Sequence, residues 1–87
     1  MPETISEGAK QQLLQQLQNA LGLVKDADTS AQDVAAITHS AADGHQLTQV
    51  MLQELTTARE YLKACADQIN YAISNIEAIP IDPPPGD

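Results

Sequence analysis

Large aromatic side chains are nearly absent from this sequence. It contains no Trp and no Phe, and Tyr61 and Tyr71 are its only two aromatic residues. A core built from Ala, Leu, Ile and Val is thin, and at about 25 cal/mol per Å² of buried apolar surface it barely offsets the entropy of the chain. We therefore expect the 87 residues to form one small domain that gains stability by associating with itself or with a partner.

Basic residues are also scarce. Four Lys and Arg residues face twelve Asp and Glu residues, which gives a formal net charge of −8. Nucleic-acid binding is driven by Lys and Arg, which displace counterions from phosphates, and anionic membranes attract basic segments. The composition therefore predicts that neither nucleic acid nor a membrane surface is a partner.

A single cysteine, Cys65, rules out a disulfide within the chain and gives no indication of a disulfide-stapled secreted scaffold. Residues 1–7 lack the basic and apolar segments of a signal peptide, and no run approaches the roughly 18 apolar residues of a membrane span. We expect a cytoplasmic protein, with signal-peptide-independent secretion as the alternative. No glycine-rich phosphate loop, nucleophile–base set or paired carboxylates can be recognised, so we expect no enzyme activity and no cofactor.

Heptad repeats are what the sequence does contain. In the second half, apolar or small residues recur at alternating spacings of four and three over roughly four heptads, which predicts a long amphipathic helix. These residues are Met51, Leu55, Ala58, Leu62, Cys65, Ile69, Ala72, Ile76 and Ile79.

A second repeat runs through the first half with the same alternation, and residues at 14, 21, 35 and 42 widen its apolar stripe to about three positions in seven. Poor helix formers at positions 26–33 leave a break open, because Ser30 and Asp33 could cap a new helix. The unchanged heptad phase favours a continuous helix. The repeat consists of Leu13, Leu17, Ala20, Val24, Ala27, Ala31, Val34, Thr38 and Ala41.

Capping residues predict where the helices begin and end. Thr4 with Glu7 fits a capping box, Ser6 is a competing N-cap, and Gly44 suits a left-handed turn. Pro80 disfavours helix beyond Ile79. We expect a helical hairpin over residues 1–79, with helix 1 at about 5–41, a turn at about 42–45 and helix 2 at about 46–79. Residues 80–87 should be a Pro-rich disordered tail, although the PxxP spacing of residues 80–83 also fits a Pro-rich ligand.

Pairing the two helices antiparallel across this turn aligns similar residues. With the turn at 43–44, Leu14 falls opposite Ile73, Leu21 opposite Ala66 and Ala35 opposite Leu52. The same register places Asp28 opposite Arg59, which we interpret either as a surface ion pair or as a pair that fixes the register. The predicted fold class is therefore all-α, an antiparallel two-helix hairpin of the coiled-coil type.

The small residues of the two repeats predict a close approach of the helices, with the repeats facing each other. The longer residues beside them would then point outward as an exposed apolar surface, which is typical of an interface. We expect this surface to pair the hairpin with a second copy or a similar hairpin in a four-helix bundle. The predicted interface residues are Leu14, Leu21, Leu23, Leu52 and Ile73.

Other reactive side chains receive structural interpretations. Cys65 is expected to be buried as a small apolar residue, because no base is near it in the sequence. His39 and His45, with Asp43, could form a metal site, but surface or capping roles fit their spacing better. Asp26, Asp28 and Asp33 lack the spacing and the glycine of a calcium-binding loop. We therefore predict no metal site.

A hairpin of this length that turns on Gly44 resembles the WXG100 family over residues 5–79. The Trp-x-Gly turn of that family is represented by Ala42-Asp43-Gly44, in which the glycine matches and the tryptophan does not. Tyr61 and Tyr71 are followed four residues later by Cys65 and Asn75, where the secretion signal of the family has an acid. The resemblance implies a dimeric four-helix bundle that is associated with type VII secretion in actinobacteria and firmicutes.

The expected function is thus a non-enzymatic protein–protein interaction module, WXG100-like and acting as a dimer, with a secretion component or a toxin as a further partner. The alternative is a small acidic cytoplasmic regulator or inhibitor that masks a basic surface of a partner protein. The two differ in physical character, because binding through charge weakens as salt rises and apolar docking does not.

Overall fold

Two long helices make up the structure, α1 (Glu7–Ala41) and α2 (Gln46–Glu77). The structure is a computed structural model that describes residues 3–42 and 44–83. It is an all-α helical hairpin, as the two heptad repeats predict. Ser6 is the N-cap of α1, since its Oγ accepts a hydrogen bond from the backbone N–H of Ala9 at 3.1 Å.

The first helix is continuous through the poor helix formers at 26–33. Thr29 adapts to the helix interior by donating a hydrogen bond from Oγ1 to the carbonyl of Lys25, 3.1 Å away. Thr38 does the same with the carbonyl of Val34 at 2.9 Å. A hydroxyl that is bonded within its own helix no longer competes with the helical backbone, so no fresh cap is needed at Ser30.

The turn between the helices depends on Gly44 and His45. Gly44 has a φ of +87°, which L side chains rarely adopt, and this explains why a glycine ends the hairpin arm. His45 is the N-cap of α2, and its Nδ1 accepts a hydrogen bond from the backbone N–H of Leu47 at 3.1 Å. Thr48 Oγ1 lies 2.9 Å from the carbonyl of Ala42, which ties the two helix ends together. Asp43, the remaining residue of the predicted turn, lies outside the described residues.

Burial along the helices reveals a seam that differs from the predicted one by a single residue per heptad. On each helix one predicted row is half-buried, for example Leu17 and Val24 on α1 and Leu62 and Ile69 on α2. The second half-buried row lies one position further along, most clearly on α1, although Ala20, Met51, Ala72 and Ile79 of the predicted row are also half-buried. The residues that are half-buried at these shifted positions are Leu14, Leu21, Asp28 and Ala35 on α1, Ala42 at its C-cap, and Leu52, Ala66 and Ile73 on α2.

The row expected to face outward is therefore largely the row that faces the partner helix. Leu14, Leu21, Leu52 and Ile73 are half-buried, and of the five predicted interface residues only Leu23 is exposed, at 70%. Apolar size does not distinguish the two sets of rows, because each contains four large apolar residues. The shifted rows also contain Asp28 and Arg59, whose ion pair joins the two helices there.

The same shift moves Cys65 out of the seam. Its side chain is exposed, which contradicts the prediction of a buried cysteine. Ala58, at the equivalent position one heptad earlier, is exposed as well. Both lie beside the seam, on the flank that also carries the half-buried Met51.

The hairpin is too thin to have a core. Its cross-section measures 19 × 12 Å, and the smaller dimension is that of one helix. Among the described residues no hydrophobic side chain is fully buried, and Thr38 is the one buried residue of any kind. A single layer of two helices leaves one side of every seam residue near solvent, so the chain as it stands forgoes much of its available hydrophobic stabilisation.

The two termini of the hairpin are joined by a clasp, defined here as residues 4–5 with 80–82. The backbone N–H of Ile5 donates to the carbonyl of Pro80 at 3.0 Å, and that of Asp82 donates to the carbonyl of Ile5 at 2.8 Å. Thr4 Oγ1 donates to a carboxylate oxygen of Asp82. Residues 80–82 are therefore bonded rather than disordered as predicted, because the extended backbone after Pro80 leaves polar groups that the segment before α1 can pair with. Residues 84–87 of the predicted tail lie outside the described residues.

Candidate functional site

Asp28 and Arg59 meet across the helices in the register that the sequence predicts. Arg59 Nε lies 2.7 Å from Asp28 Oδ1, and Arg59 Nη2 donates to Asp28 Oδ2 at 3.4 Å. Gln32 Nε2, one turn further along α1, also donates to Asp28 Oδ2 at 3.0 Å. The side chains of Arg59 and Asp28 are 43% and 33% exposed, so the pair lies at the edge of the seam rather than within it.

These contacts move the pKa of each group further from neutral pH. The hydrogen bond from Arg59 holds the pKa of Asp28 below its usual value, and the positive charge of Arg59 and the hydrogen bond from Gln32 act in the same direction. The hydrogen bond to Asp28 raises the pKa of Arg59 in turn. Both side chains are therefore charged at neutral pH, and the pair is a fixed ionic contact near the middle of the hairpin.

A groove runs along one side of the hairpin at this ion pair. Its volume is about 600 Å³, which is within the range of small-molecule sites. We call it the basic groove, because three of the four basic residues of the chain line it. The lining residues are Val24, Lys25, Asp28 and Thr29 from α1, and Thr56, Arg59, Glu60, Leu62, Lys63 and Ala66 from α2.

Two of the four Lys and Arg residues form side-chain hydrogen bonds within the described ranges, and the other two do not. Lys10 Nζ donates to the carbonyls of Glu77 and Ile79 at 3.0 and 2.7 Å, and Arg59 is bonded to Asp28. Lys25 and Lys63 donate no side-chain hydrogen bond and form no ion pair with any residue in the described ranges. The two unbonded ammonium groups of an acidic chain thus line the same groove.

The other side of the hairpin is apolar. Large hydrophobic side chains there are 40–72% exposed, although Leu and Ile side chains of this size gain free energy when they leave water. Each of these side chains comes one position before a seam residue in the sequence, whereas the groove residues outside the seam come one position after a seam residue. Helical spacing therefore puts the two sets on opposite flanks of the hairpin. We define the apolar face by Leu13, Leu23, Val34 and Ile37 on α1 and by Leu47 and Tyr61 on α2.

Charge is nearly absent from the rows that form the apolar face. There are four such rows, each made of residues seven positions apart. They start at residues 9 and 13 on α1 and at residues 47 and 51 on α2. Glu54 is their one charged residue. Small residues, among them Ala27, Ala58 and Cys65, lie between the large ones and leave the backbone accessible to close approach.

The remaining candidates from the sequence do not converge on a site. His45 caps α2 and His39 is exposed on α1, so the two histidines have separate positions on either side of the turn. In the part of the chain that the structure describes, no group of three or more His, Cys, Asp or Glu residues could hold a metal ion. Asp43, the third member of the predicted set, lies outside that part. Asp26 and Asp33 are exposed on α1, whereas Asp28 turns to Arg59.

Sequence reasoning missed the basic groove, although a signal for it exists. Lys25 precedes Asp28 by three residues and Lys63 follows Arg59 by four, which places both lysines on the same flank of the ion pair. Applying the same antiparallel register to the neighbours of Asp28 and Arg59 would have placed the two lysines opposite each other.

No helix in residues 3–42 and 44–83 is long and apolar enough to cross a membrane. Comparison with protein-family models, with curated proteins and with solved structures finds no match for this chain.

Proposed function

We propose that this chain is a non-enzymatic protein–protein interaction module whose apolar face pairs with a second copy, or with a similar helical hairpin, in a four-helix bundle. The observation that carries the proposal is the exposure of Leu23, Ile37, Leu47 and Tyr61 at 65–72% in a hairpin without a fully buried hydrophobic residue among those described. Covering this face supplies the second layer that a two-helix hairpin lacks.

Charge favours a second copy as the occupant. Two chains that each carry a net charge of −8 repel each other unless their charges are kept apart. The apolar face meets this condition, because Glu54 is the one charge in its rows. Two copies that pack through it therefore keep almost all of their acidic residues on the outside of the bundle. The small side chains of Ala27 and Ala58 allow the helices to come close.

Light scattering and sedimentation over a concentration series test the pairing. We expect a dimer at high micromolar concentration, and we expect Leu23→Glu with Ile37→Glu to give a monomer of unchanged helicity, because both side chains already face solvent in the hairpin. The matched control is Gln15→Glu with Gln18→Glu, which adds the same charge on the other side of α1, where both residues are exposed. A monomeric wild type at these concentrations, or equal dissociation of both variants, would contradict the proposal.

The finer proposal is a WXG100-like role in type VII secretion, with cytoplasmic synthesis and export without a cleaved signal peptide. It rests on the resemblance of residues 5–79 to that family, in which Gly44 is the matching residue of the turn. An experiment in the source organism tests it: the protein should appear in the culture medium of the wild type and be lost from it when the secretion ATPase is deleted. Retention in the cytoplasm of both strains would reject this role and leave the pairing proposal intact.

The excess of acidic residues supports a second candidate, an acidic regulator that masks a basic surface of a partner such as a toxin. Twelve acids face four bases, and two of those bases are already bonded within the chain. Raising the salt concentration separates the candidates, because a charged complex should weaken steeply while pairing through the apolar face should change little.

A further inference from the structure

We propose that the basic groove binds a small organic anion that carries an apolar chain, with its anionic head between Lys25 and Lys63 and its chain on Val24, Leu62 and Ala66. This site is separate from the apolar face and is independent of the proposed function. The anionic head is a carboxylate or a phosphate, the two groups with which an ammonium forms charge-assisted hydrogen bonds.

Charge in the groove is opposite to that of the chain. The groove contains Lys25, Arg59 and Lys63 against Asp28 and Glu60, which leaves a net charge of +1 in a chain of net charge −8. Lys25 and Lys63 have no ion-pair partner among the described residues, although acids outnumber bases three to one. An anion in this groove therefore meets two ammonium groups whose charges no described residue neutralises.

The apolar part of the ligand follows from the remaining lining. Val24, Leu62 and Ala66 are half-buried at the seam and form apolar surface within the groove. A free inorganic ion would leave this surface in water. An apolar chain covers it and gains hydrophobic free energy in proportion to the area removed from water.

The dimensions favour a small molecule over a helix of a partner protein. The lining spans residues 24–29 of α1 and 56–66 of α2. At 1.5 Å per residue this corresponds to roughly 8 Å along one helix and 15 Å along the other. A docked helix would need a much longer groove, whereas a volume of about 600 Å³ matches a small ligand.

The ion pair gives the groove a fixed wall. Asp28 and Arg59 are joined by two hydrogen bonds, and Gln32 holds the outer oxygen of Asp28. Lys25 lies one turn before Asp28 on α1, and Lys63 lies one turn after Arg59 on α2. Both ammonium groups are therefore carried by helical backbone that this pair bridges, which limits the reorganisation that binding requires.

An NMR titration of the full chain with sodium decanoate, kept below its micelle concentration, tests the site. We expect saturable shifts of the backbone amides of residues 24–29 and 56–66, and no saturation with acetate or decanol, which supply the head or the chain alone. Decyl phosphate is run in parallel, and the tighter of the two ligands identifies the head group. Hexaglutamate represents an acidic peptide. If it binds at these residues and decanoate does not, the small-molecule proposal is rejected.

Variants locate the binding within the groove. Lys25→Gln with Lys63→Gln should raise the Kd for decanoate at least about tenfold, because two charge-assisted contacts are lost. Gln12→Glu with Asn19→Asp, at exposed positions away from the groove, also takes the net charge from −8 to −10 and should leave the Kd nearly unchanged. Glu60→Gln removes a carboxylate from the groove and should tighten binding.

Three results would overturn the proposal. They are the absence of saturable shifts, shifts centred on Leu23 and Tyr61 of the apolar face, and equal weakening by the lysine variant and its charge-matched control. Circular dichroism of each variant checks that it is folded, which is expected because all five substituted side chains are exposed on helices.

Discussion

Arg59 Nε donates a hydrogen bond of 2.7 Å to Asp28 Oδ1, and this contact joins two residues that are 31 positions apart near the middles of two antiparallel helices. Sliding one helix by a heptad would separate the pair and place each charge against an apolar seam residue. The observed register is therefore the one in which the two charges meet each other and apolar residues meet apolar residues.

The first prediction concerns this pair. Asp28→Leu and Arg59→Leu should each lower the urea midpoint, since each leaves the other charge without its partner at the seam edge. The double variant Asp28→Leu/Arg59→Leu should recover the midpoint or exceed it, because two apolar residues then meet. Its register should become less well defined, as measured by distances between spin labels at the helix ends. A double variant with the sharp distance distribution of the wild type would show that the pair does not set the register.

The second prediction concerns pH. Because the folded protein holds the pKa of Asp28 below the unfolded value, deprotonated Asp28 stabilises the fold, and this contribution is complete above the unfolded pKa of about 3.9. It is lost as pH falls through the lower folded value. The difference in urea midpoint between the wild type and Asp28→Asn should therefore be constant from pH 7 to about pH 5 and should shrink below about pH 4. A difference that grows on acidification would contradict this assignment.

The third prediction compares two glycines. Both have open space where a Cβ would be added, but only Gly44 has a positive φ. Gly44→Ala should destabilise the hairpin by about 1–2 kcal/mol because of the left-handed backbone. Gly22→Ala, inside α1, should stabilise it by about 1 kcal/mol because of its helix propensity. Urea denaturation of both variants measures the contrast, and equal effects of the two substitutions would show that the turn tolerates a side chain.

The fourth prediction concerns the clasp. A chain that ends at Ile79 loses the backbone hydrogen bonds of Ile5 with Pro80 and Asp82, whereas a chain that ends at Pro83 keeps them. The shorter chain should be less stable by about 1–3 kcal/mol, the net value of two such bonds. Hydrogen exchange at the amide of Ile5 should accelerate in the shorter chain and stay slow in the longer one. Similar exchange in both would show that the clasp contributes nothing in solution.

The fifth prediction concerns Cys65. Its side chain is exposed, so a maleimide should label the monomeric chain without denaturant, and an Ala58→Cys/Cys65→Ala variant should be labelled similarly. Because Cys65 lies on the flank that carries the apolar face, labelling should slow as the concentration rises and copies pair. Rates that do not depend on concentration would argue against pairing through this flank.

Much of the fold follows from local features of the sequence. The N-cap at Ser6, the left-handed Gly44 and the uninterrupted heptad phase through positions 26–33 each act within a few residues, so their effect can be derived from the sequence. The clasp could not, because it depends on two segments that are distant in the sequence and have no apolar pattern. The basic groove is intermediate, because the register that pairs Asp28 with Arg59 also places Lys25 and Lys63 on one flank, but the groove itself exists only when the two helices lie side by side.

The sequence alone determined that two amphipathic helices form, that they run antiparallel and that Asp28 meets Arg59, because heptad spacing and turn position leave few alternatives. Tertiary structure decided which of two adjacent rows faces the partner helix. A stripe that is apolar at three positions in seven permits two seams, and only the packing of both helices against each other selects one of them. In the structure Leu14, Leu21, Leu52 and Ile73 are half-buried, the Asp28–Arg59 pair lies at the edge of the same seam, and Leu23, Ile37, Leu47 and Tyr61 remain in water.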